Sequence, residues 1–295
     1  MTAAPPAPTH AAIPRSALAS GPNDTRGGRA IATAFANATA EGRTALIPYV
    51  VAGYPDLETS FEAAIACIDA GADLLEVGLP YSDPLADGAT LQRASGAALK
   101  AGATFDRSID LVRRIAESRP RVPLVPMCYA NQVIGGGDGR AAATRLAKAG
   151  AAGIIVADLT PDEGAPFEAV ARDVGLAVVY LVAPTSAPER RRGIANRTGG
   201  FLYCVSLTGV TGARTSLPGH VARLVRDVKA GSPVPVAVGF GVSRPAHVRA
   251  LAKAGADGVI VASALVDALG EDGRDIAALT RLVRSLREAG ATLAA

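Results

Sequence analysis

Eight short apolar runs, each followed by an amphipathic segment, constrain this chain more than any other feature of its sequence. They are Ala45–Val51, Leu74–Gly78, Leu124–Tyr129, Gly153–Ala157, Ala177–Val182, Phe201–Ser206, Val234–Val238 and Gly258–Val261. Near-continuous runs of valine, isoleucine and leucine predict strands buried on both faces, and helices between them imply parallel crossovers. Three helix-to-strand joints read alike: Ala70-Gly71-Ala72-Asp73, Ala149-Gly150-Ala151-Ala152 and Ala254-Gly255-Ala256-Asp257. Glycine there fits a left-handed cap that ends one helix before the next strand. Eight such units predict an α/β chain closed into a single (β/α)8 TIM barrel. An open dinucleotide-binding sheet would carry GxGxxG after its first strand, where Ala52-Gly53-Tyr54-Pro55 stands instead.

The 295 residues would allow two ordinary domains, but one barrel of roughly 250 residues with extensions accounts for them. Residues 29–295 are read as that barrel domain. A helical pattern leads into it, with Ile31, Phe35 and Ala38 on one face. Residues 1–28 contain Ala-Pro-Pro-Ala-Pro and Gly-Pro-Asn-Asp and read as a disordered tail. Arginine and serine with the single acid Asp24 leave an organelle transit peptide as the other reading, whereas the apolar stretch of a secretory signal is missing.

Composition excludes several classes of function. Hydrophobic residues at 49% supply a sizeable core, and a net charge of +3 without basic clustering argues against nucleic acid. The run Arg190-Arg191-Arg192 follows Glu189 and reads as a solvated helix face. No stretch reaches the roughly 18 apolar residues of a membrane helix. Cys67, Cys128 and Cys204 have apolar neighbours and no metal-ligand spacing, as expected of reduced thiols in a cytoplasmic protein. His10, His220 and His247 show no ligand pairing. Lys100, Lys148, Lys229 and Lys253 all fall in predicted helices rather than at strand ends. A Schiff-base lysine is therefore not expected, and carbon–carbon chemistry would run on carboxylates and hydroxyls.

Barrel active sites form at the C-terminal ends of the strands. Glu76 stands inside the apolar run Leu74-Leu75-Glu76-Val77-Gly78, on the same face as Leu74 and Gly78. It is either a core glutamate satisfied by an arginine or hydroxyl, or an acid/base group with a pKa raised by desolvation. The following loop, Pro80-Tyr81-Ser82-Asp83-Pro84-Leu85-Ala86-Asp87-Gly88, brings Asp83 and Asp87 to the mouth. Either could be a turn or capping residue. With Glu76 below it, the loop suggests two carboxylates facing each other across a pocket, in unlike surroundings and able to divide acid and base roles. Gly209-Val210-Thr211-Gly212, Gly239-Phe240-Gly241 and Ala262-Ser263 supply glycine-rich backbone and a helix N-terminus suited to an anion. Phosphate between the last βα loops is a recurrent barrel arrangement, and tight turns are the competing reading. The loop 209–218 is expected to close over a bound substrate.

The run from Leu75 to Gly88 resembles the signature of the tryptophan synthase alpha chain family. The likeness continues in order through Gly53-Tyr54-Pro55-Asp56, Tyr129-Ala130-Asn131, Val156-Ala157-Asp158-Leu159, Ala183-Pro184-Thr185, Gly209-Val210-Thr211-Gly212 and Gly239-Phe240-Gly241, covering about residues 31–269. It implies cleavage of indole-3-glycerol phosphate to indole and glyceraldehyde 3-phosphate in tryptophan synthesis. In such a protein Glu76 would handle the proton at the indole C3 and the side-chain hydroxyl. Asp87 would meet charge at the indole N–H, and Tyr203 would contact substrate near the reacting carbons. An apolar slot for indole would be assembled from Tyr49, Met127, Tyr129, Ile155 and Phe240, though these could equally be barrel packing. Phosphate would rest against Thr211, Gly212, Gly239, Gly241 and Ser263.

The resemblance further implies no cofactor on this chain. Pyridoxal phosphate would sit only on a beta-chain partner in an α2β2 assembly, met through Pro80, Asp83 and Asn131. Asp83 and Asn131 are alternatively plain loop residues. The chain departs from the family at Ala89 and Thr160, where proline is usual, and at Ala262, where glycine is common. Four readings stay open on the sequence: the complexed lyase, a stand-alone lyase, another phosphate-binding barrel, and a non-enzymatic scaffold.

Overall fold

The computed structural model describes residues 24–205, 219–239 and 241–291. Among them are nine strands: β1 (Ala45–Val51), β2 (Leu75–Gly78), β3 (Leu124–Cys128), β4 (Gly153–Val156), β5 (Ala177–Val179), β6 (Leu181–Val182), β7 (Leu202–Val205), β8 (Val236–Gly239) and β9 (Gly258–Val261). The helix α1 (Arg26–Ala40) precedes them. The crossovers hold α2 (Leu57–Asp69), α3 (Ala89–Lys100), α4 (Phe105–Ser118), α5 (Ala130–Ile134), α6 (Arg140–Lys148), α7 (Pro161–Asp173), α8 (Pro188–Ala195), α9 (Gly219–Ala230) and α10 (Pro245–Lys253). Two more, α11 (Ser263–Ala268) and α12 (Ile276–Ala289), follow the last strand. The four lysines lie on α3, α6, α9 and α10, outside the barrel.

All strand pairs are parallel, in the order β5-β4-β3-β2-β1-β9-β8-β7-β6. The two end strands are consecutive pieces of the fifth predicted run. β5 pairs with β4, and after Tyr180 the chain turns to pair with β7 as β6. The sheet therefore closes through one continuous stretch of chain, as a TIM barrel. At the change-over the Tyr180 N–H leaves the ladder and donates to Thr198 Oγ1 at 2.9 Å. The seventh run starts late, at Val236, because Pro235 has no N–H to give.

Alternation along the strands divides the core into an inner and an outer layer. Ala45, Ile47, Tyr49 and Val51 of β1 join the inner cluster with Val125, Met127, Ile155 and Ile260, while Leu46 and Val50 pack outward against the helices. The inner layer is plugged at the N-terminal end by α1, whose Ile31, Phe35 and Ala38 are buried. Phe35 meets Phe201 with ring centroids 5.7 Å apart.

This helix starts at Arg26, inside the segment 1–28 assigned to the tail. Thr25 caps it by accepting from the Gly28 N–H at 2.9 Å. Its first turn carries Gly27 and Gly28, which have no apolar side chains to register in a periodicity, so the pattern becomes visible only from Ile31. Gly27 is required by contact: a Cβ there would lie 1.6 Å from the Ala152 carbonyl oxygen.

The three like joints behave as their sequences suggest, with φ of 106° at Gly71, 95° at Gly150 and 93° at Gly255. In two of them the closing aspartate locks a neighbouring strand. Asp73 accepts from Leu46 N at 2.8 Å and takes a bidentate pair of 2.6 Å contacts from Arg43. Asp257 accepts from Val236 N at 2.7 Å and pairs with Lys229. The third joint ends in Ala152, the residue against which Gly27 of α1 is pressed. No helix among the described residues is long and apolar enough to cross a membrane.

Candidate active site

Glu76 occupies an inward position of β2, with Tyr49 of β1 and Val125 of β3 as its register partners. It is fully buried, and among the described residues neither carboxylate oxygen has a hydrogen-bond partner. The reading as a core glutamate satisfied by an arginine or hydroxyl finds no such partner here. Burial, and then the nearby Asp87, push its carboxyl up to about 8, so the protonated acid prevails at neutral pH.

Asp87 is presented by the loop after β2. That loop is braced from the next strand: Tyr129, at the end of β3, accepts from Ala86 N at 3.1 Å and stacks on Tyr81 at 5.1 Å. α5 adds Asn131 Nδ2 donating to the Tyr81 hydroxyl at 3.3 Å and Gln132 Nε2 donating to the Pro80 carbonyl at 3.1 Å. Asp158, in the loop after β4, accepts from Ala130 N at 2.7 Å and so fixes the start of α5. Burial raises Asp87 to about 6, against a hydrogen-bonding contact with Tyr129 that lowers it. At pH 7 the site therefore holds one protonated and one ionised carboxyl, the division of roles that acid–base chemistry needs.

Both carboxyls line a cavity of about 530 Å³ at the C-terminal mouth, together with Tyr49, Met127, Tyr203, Gly239, Gly241 and Ser263. Tyr203 lies against Gly239, where a Cβ would come within 2.8 Å of the tyrosine hydroxyl. Burial and the carboxylate of Glu76 drive its phenol far above the usual range. Two residues expected in the indole slot are not among those lining this cavity. Ile155 is fully buried in the inner layer, in register with Met127 and Val179, and Tyr129 stands behind the Asp87 loop as its brace. Thr211, Gly212, Phe240 and the rest of the loop 209–218 lie outside the described residues. The apolar wall includes Leu91, Ala157, Leu181, Val205 and Ile260, none of which the sequence singles out. Leu181 and Ile260 could have been found by parity, because both stand at inward positions near the ends of predicted strands.

The three departures are accommodated locally. Ala89 opens α3 after Gly88, and Thr160 is the extended residue before α7, which begins with Pro161. Ala262 has φ −121°, outside the left-handed region, so a side chain is admitted there beside Ser263. The helix opened by Ser263 is six residues long, and α12 follows it. Asp83 and Asn131 are exposed, Pro80 is buried, and Leu85, which also lines the cavity, is 82% exposed.

The profile of the tryptophan synthase alpha chain matches residues 35–292. The chain belongs to the tryptophan synthase alpha chain family. It is 46% identical over 265 residues to the tryptophan synthase alpha chain of Gloeobacter violaceus, covering 89% of this chain and 95% of that one. A chain of Mycobacterium tuberculosis tryptophan synthase superposes with a TM-score of 0.82 at 40% identity, covering 89% of this chain and 98% of that one. A tryptophan synthase alpha-subunit of Pyrococcus furiosus gives 0.77 at 37% identity, covering 83% and 98%. The chain thus serves tryptophan biosynthesis as an indole-3-glycerol-phosphate lyase on a TIM barrel. Its likeness to chains of tryptophan synthase is consistent with a beta partner.

Proposed function

We propose that Glu76 and Asp87 share the proton work of indole-3-glycerol phosphate cleavage. Glu76 gives its proton to the indole C3, and the cation spread towards the ring nitrogen is met by the ionised Asp87. The Glu76 carboxylate then takes the proton of the hydroxyl on the attached side-chain carbon. As that oxygen forms the aldehyde, the carbon–carbon bond breaks and its electron pair returns to the ring as indole. Glu76 ends protonated, so the cycle balances without an outside acid. Tyr203 contacts the reacting carbons from β7, on the wall opposite β2, and Tyr49, Met127, Leu181 and Ile260 enclose the ring. Gly239, Gly241 and Ser263 receive the phosphate.

The observation that carries this reading is the buried Glu76, without a hydrogen-bond partner among the described residues, on the wall of the cavity it shares with Asp87. Glu76→Gln is expected to keep substrate binding and lose on the order of 10²–10⁴ in the rate of indole release. Near-normal turnover in that variant would remove Glu76 from the mechanism.

The same reading makes the chain the α part of an α2β2 assembly, with pyridoxal phosphate on the beta chain and contact through the loops of Pro80, Asp83 and Asn131. Three unpaired, buried cysteines support a cytoplasmic setting.

A further inference from the structure

Tyr49 is expected from sequence only as an apolar wall of the indole slot, yet its hydroxyl is placed among charges. β1 and β2 are adjacent and parallel, and Tyr49 is the register partner of Glu76 on the same inward face. The tyrosine leans towards the mouth: its hydroxyl lies over Gly78, at the site where a Cβ would be only 1.8 Å away. Gly78 is the next inward position after Glu76, roughly 7 Å along the strand. Any larger residue there would displace the phenol. The Tyr49 hydroxyl therefore stands on the same wall as Glu76, between it and the mouth. Tyr203 approaches from β7, on the opposite wall of the barrel.

A proton cycle through Glu76 leaves this carboxylate charged midway, in a position where no described residue hydrogen-bonds either oxygen. A buried carboxylate without a donor is costly. The groups facing it are Asp87 from the loop after β2, Tyr49 from β1 and Tyr203 from β7, with Tyr129 at the end of β3 behind Asp87. Asp87 repels the charge. Once substrate fills the cavity between the walls, Tyr49 is, among the described residues, the hydroxyl left on the same wall as Glu76.

We propose that Tyr49 is a positioning residue for the acid–base step, its hydroxyl donating to the Glu76 carboxylate after that group has given its proton to the indole ring. The proposal rests on the assignment of Glu76 as the acid. Desolvation by burial, with the charges of Asp87 and Glu76, holds the phenol protonated throughout, so Tyr49 donates without itself transferring a proton.

Tyr49→Phe keeps the ring and removes only the donor. The full chain and the variant would be compared for indole release from indole-3-glycerol phosphate between pH 5 and 9.5. The expected result is a fall in kcat of about 10- to 100-fold, the worth of a hydrogen bond to a charged group, with KM changed less than about threefold. The alkaline limb of kcat/KM should also move upward, because a donor to the ionised form lowers a carboxyl pKa and its loss raises it. Unchanged kcat and an unmoved limb in a variant that binds substrate would overturn the proposal while leaving the Glu76 assignment intact. Loss confined to KM would equally overturn it and leave Tyr49 as a wall of the slot. Failure of the Glu76 assignment would appear separately, as full activity in Glu76→Gln. The infrared titration of the Glu76 carboxyl, identified by its loss in Glu76→Gln, gives a second readout. An unmoved titration in Tyr49→Phe with a substrate analogue bound would also count against the hydrogen bond.

Discussion

At the scale of single residues, a carboxyl buried without a donor works against the fold wherever water would ionise it. Glu76 titrates near 8 in the folded chain against an ordinary 4.5. Below about pH 4.5 it is protonated in both the folded and unfolded states and affects neither. As pH rises from there the unfolded chain releases the proton and the folded chain retains it, so stability falls until the folded group also ionises near pH 8. Asp87, raised to about 6, adds a smaller loss of the same sign. Glu76→Gln abolishes the greater of these two losses. The variant is expected to be more stable than the parent at pH 8.5 by a few kcal/mol, and to differ little from it at pH 4.5. Urea unfolding at the two pH values measures this, and equal midpoints at pH 8.5 would show that Glu76 is not desolvated as described. The same logic explains why Glu76 was legible from sequence: a lone charge inside an apolar strand has few roles besides chemistry. Leu91 carried no such mark, because an apolar residue of a helix shows itself as cavity wall only once the barrel has closed.

Elements were legible where hydrophobic pattern alone decides them, and obscure where single contacts do. β1 has the bounds its apolar run predicts, Ala45–Val51, since every one of its residues is buried. The run Ala177–Val182 reads equally apolar but divides at Tyr180, whose N–H is taken by Thr198 and whose hydroxyl donates to Glu168 Oε1 at 2.5 Å. No periodicity announces such a change of partners. The early start of α1 was hidden for a related reason, being set by Thr25 and by the approach of Gly27 to Ala152. Two glycine substitutions separate these effects. Gly27→Ala sets a methyl against the Ala152 carbonyl and is expected to cost about 3 kcal/mol or more as α1 is pushed off the barrel floor. Gly96→Ala, within α3 where an added Cβ meets nothing within 4 Å, is expected to gain about 0.5–1 kcal/mol from helix propensity. Thermal or urea unfolding reads both, and a neutral Gly27→Ala would mean that α1 is not seated on Ala152.

For the molecule as a whole, the catalytic mouth and the exposed rim beside it are one piece of structure. The Asp87 loop is held by Tyr129, which accepts from Ala86 N, Tyr129 stacks on Tyr81, and Tyr81 receives a hydrogen bond from the exposed Asn131. The same loop carries the exposed Asp83 and the 82% exposed Leu85, the one exposed large hydrophobic among the described residues. A partner pressing on this face would act directly on the segment that aims Asp87 at the substrate. Contact and stimulation should therefore be lost together. Asp83→Ala, measured with a beta chain at saturating substrate, is expected to lower the ratio of stimulated to unstimulated indole release about tenfold, near 1.4 kcal/mol of coupling. The beta-chain concentration for half-maximal stimulation should rise with it. If that concentration rises while the stimulation reached at saturation is unchanged, Asp83 contributes to docking alone and the loop does not transmit. If neither changes, the partner meets the barrel on another face. Strong indole release by the chain alone, with no response to a beta chain, would make the exposed loop part of a self-sufficient lyase. The brace from Tyr129 to Asp87 would then already be set in the isolated barrel.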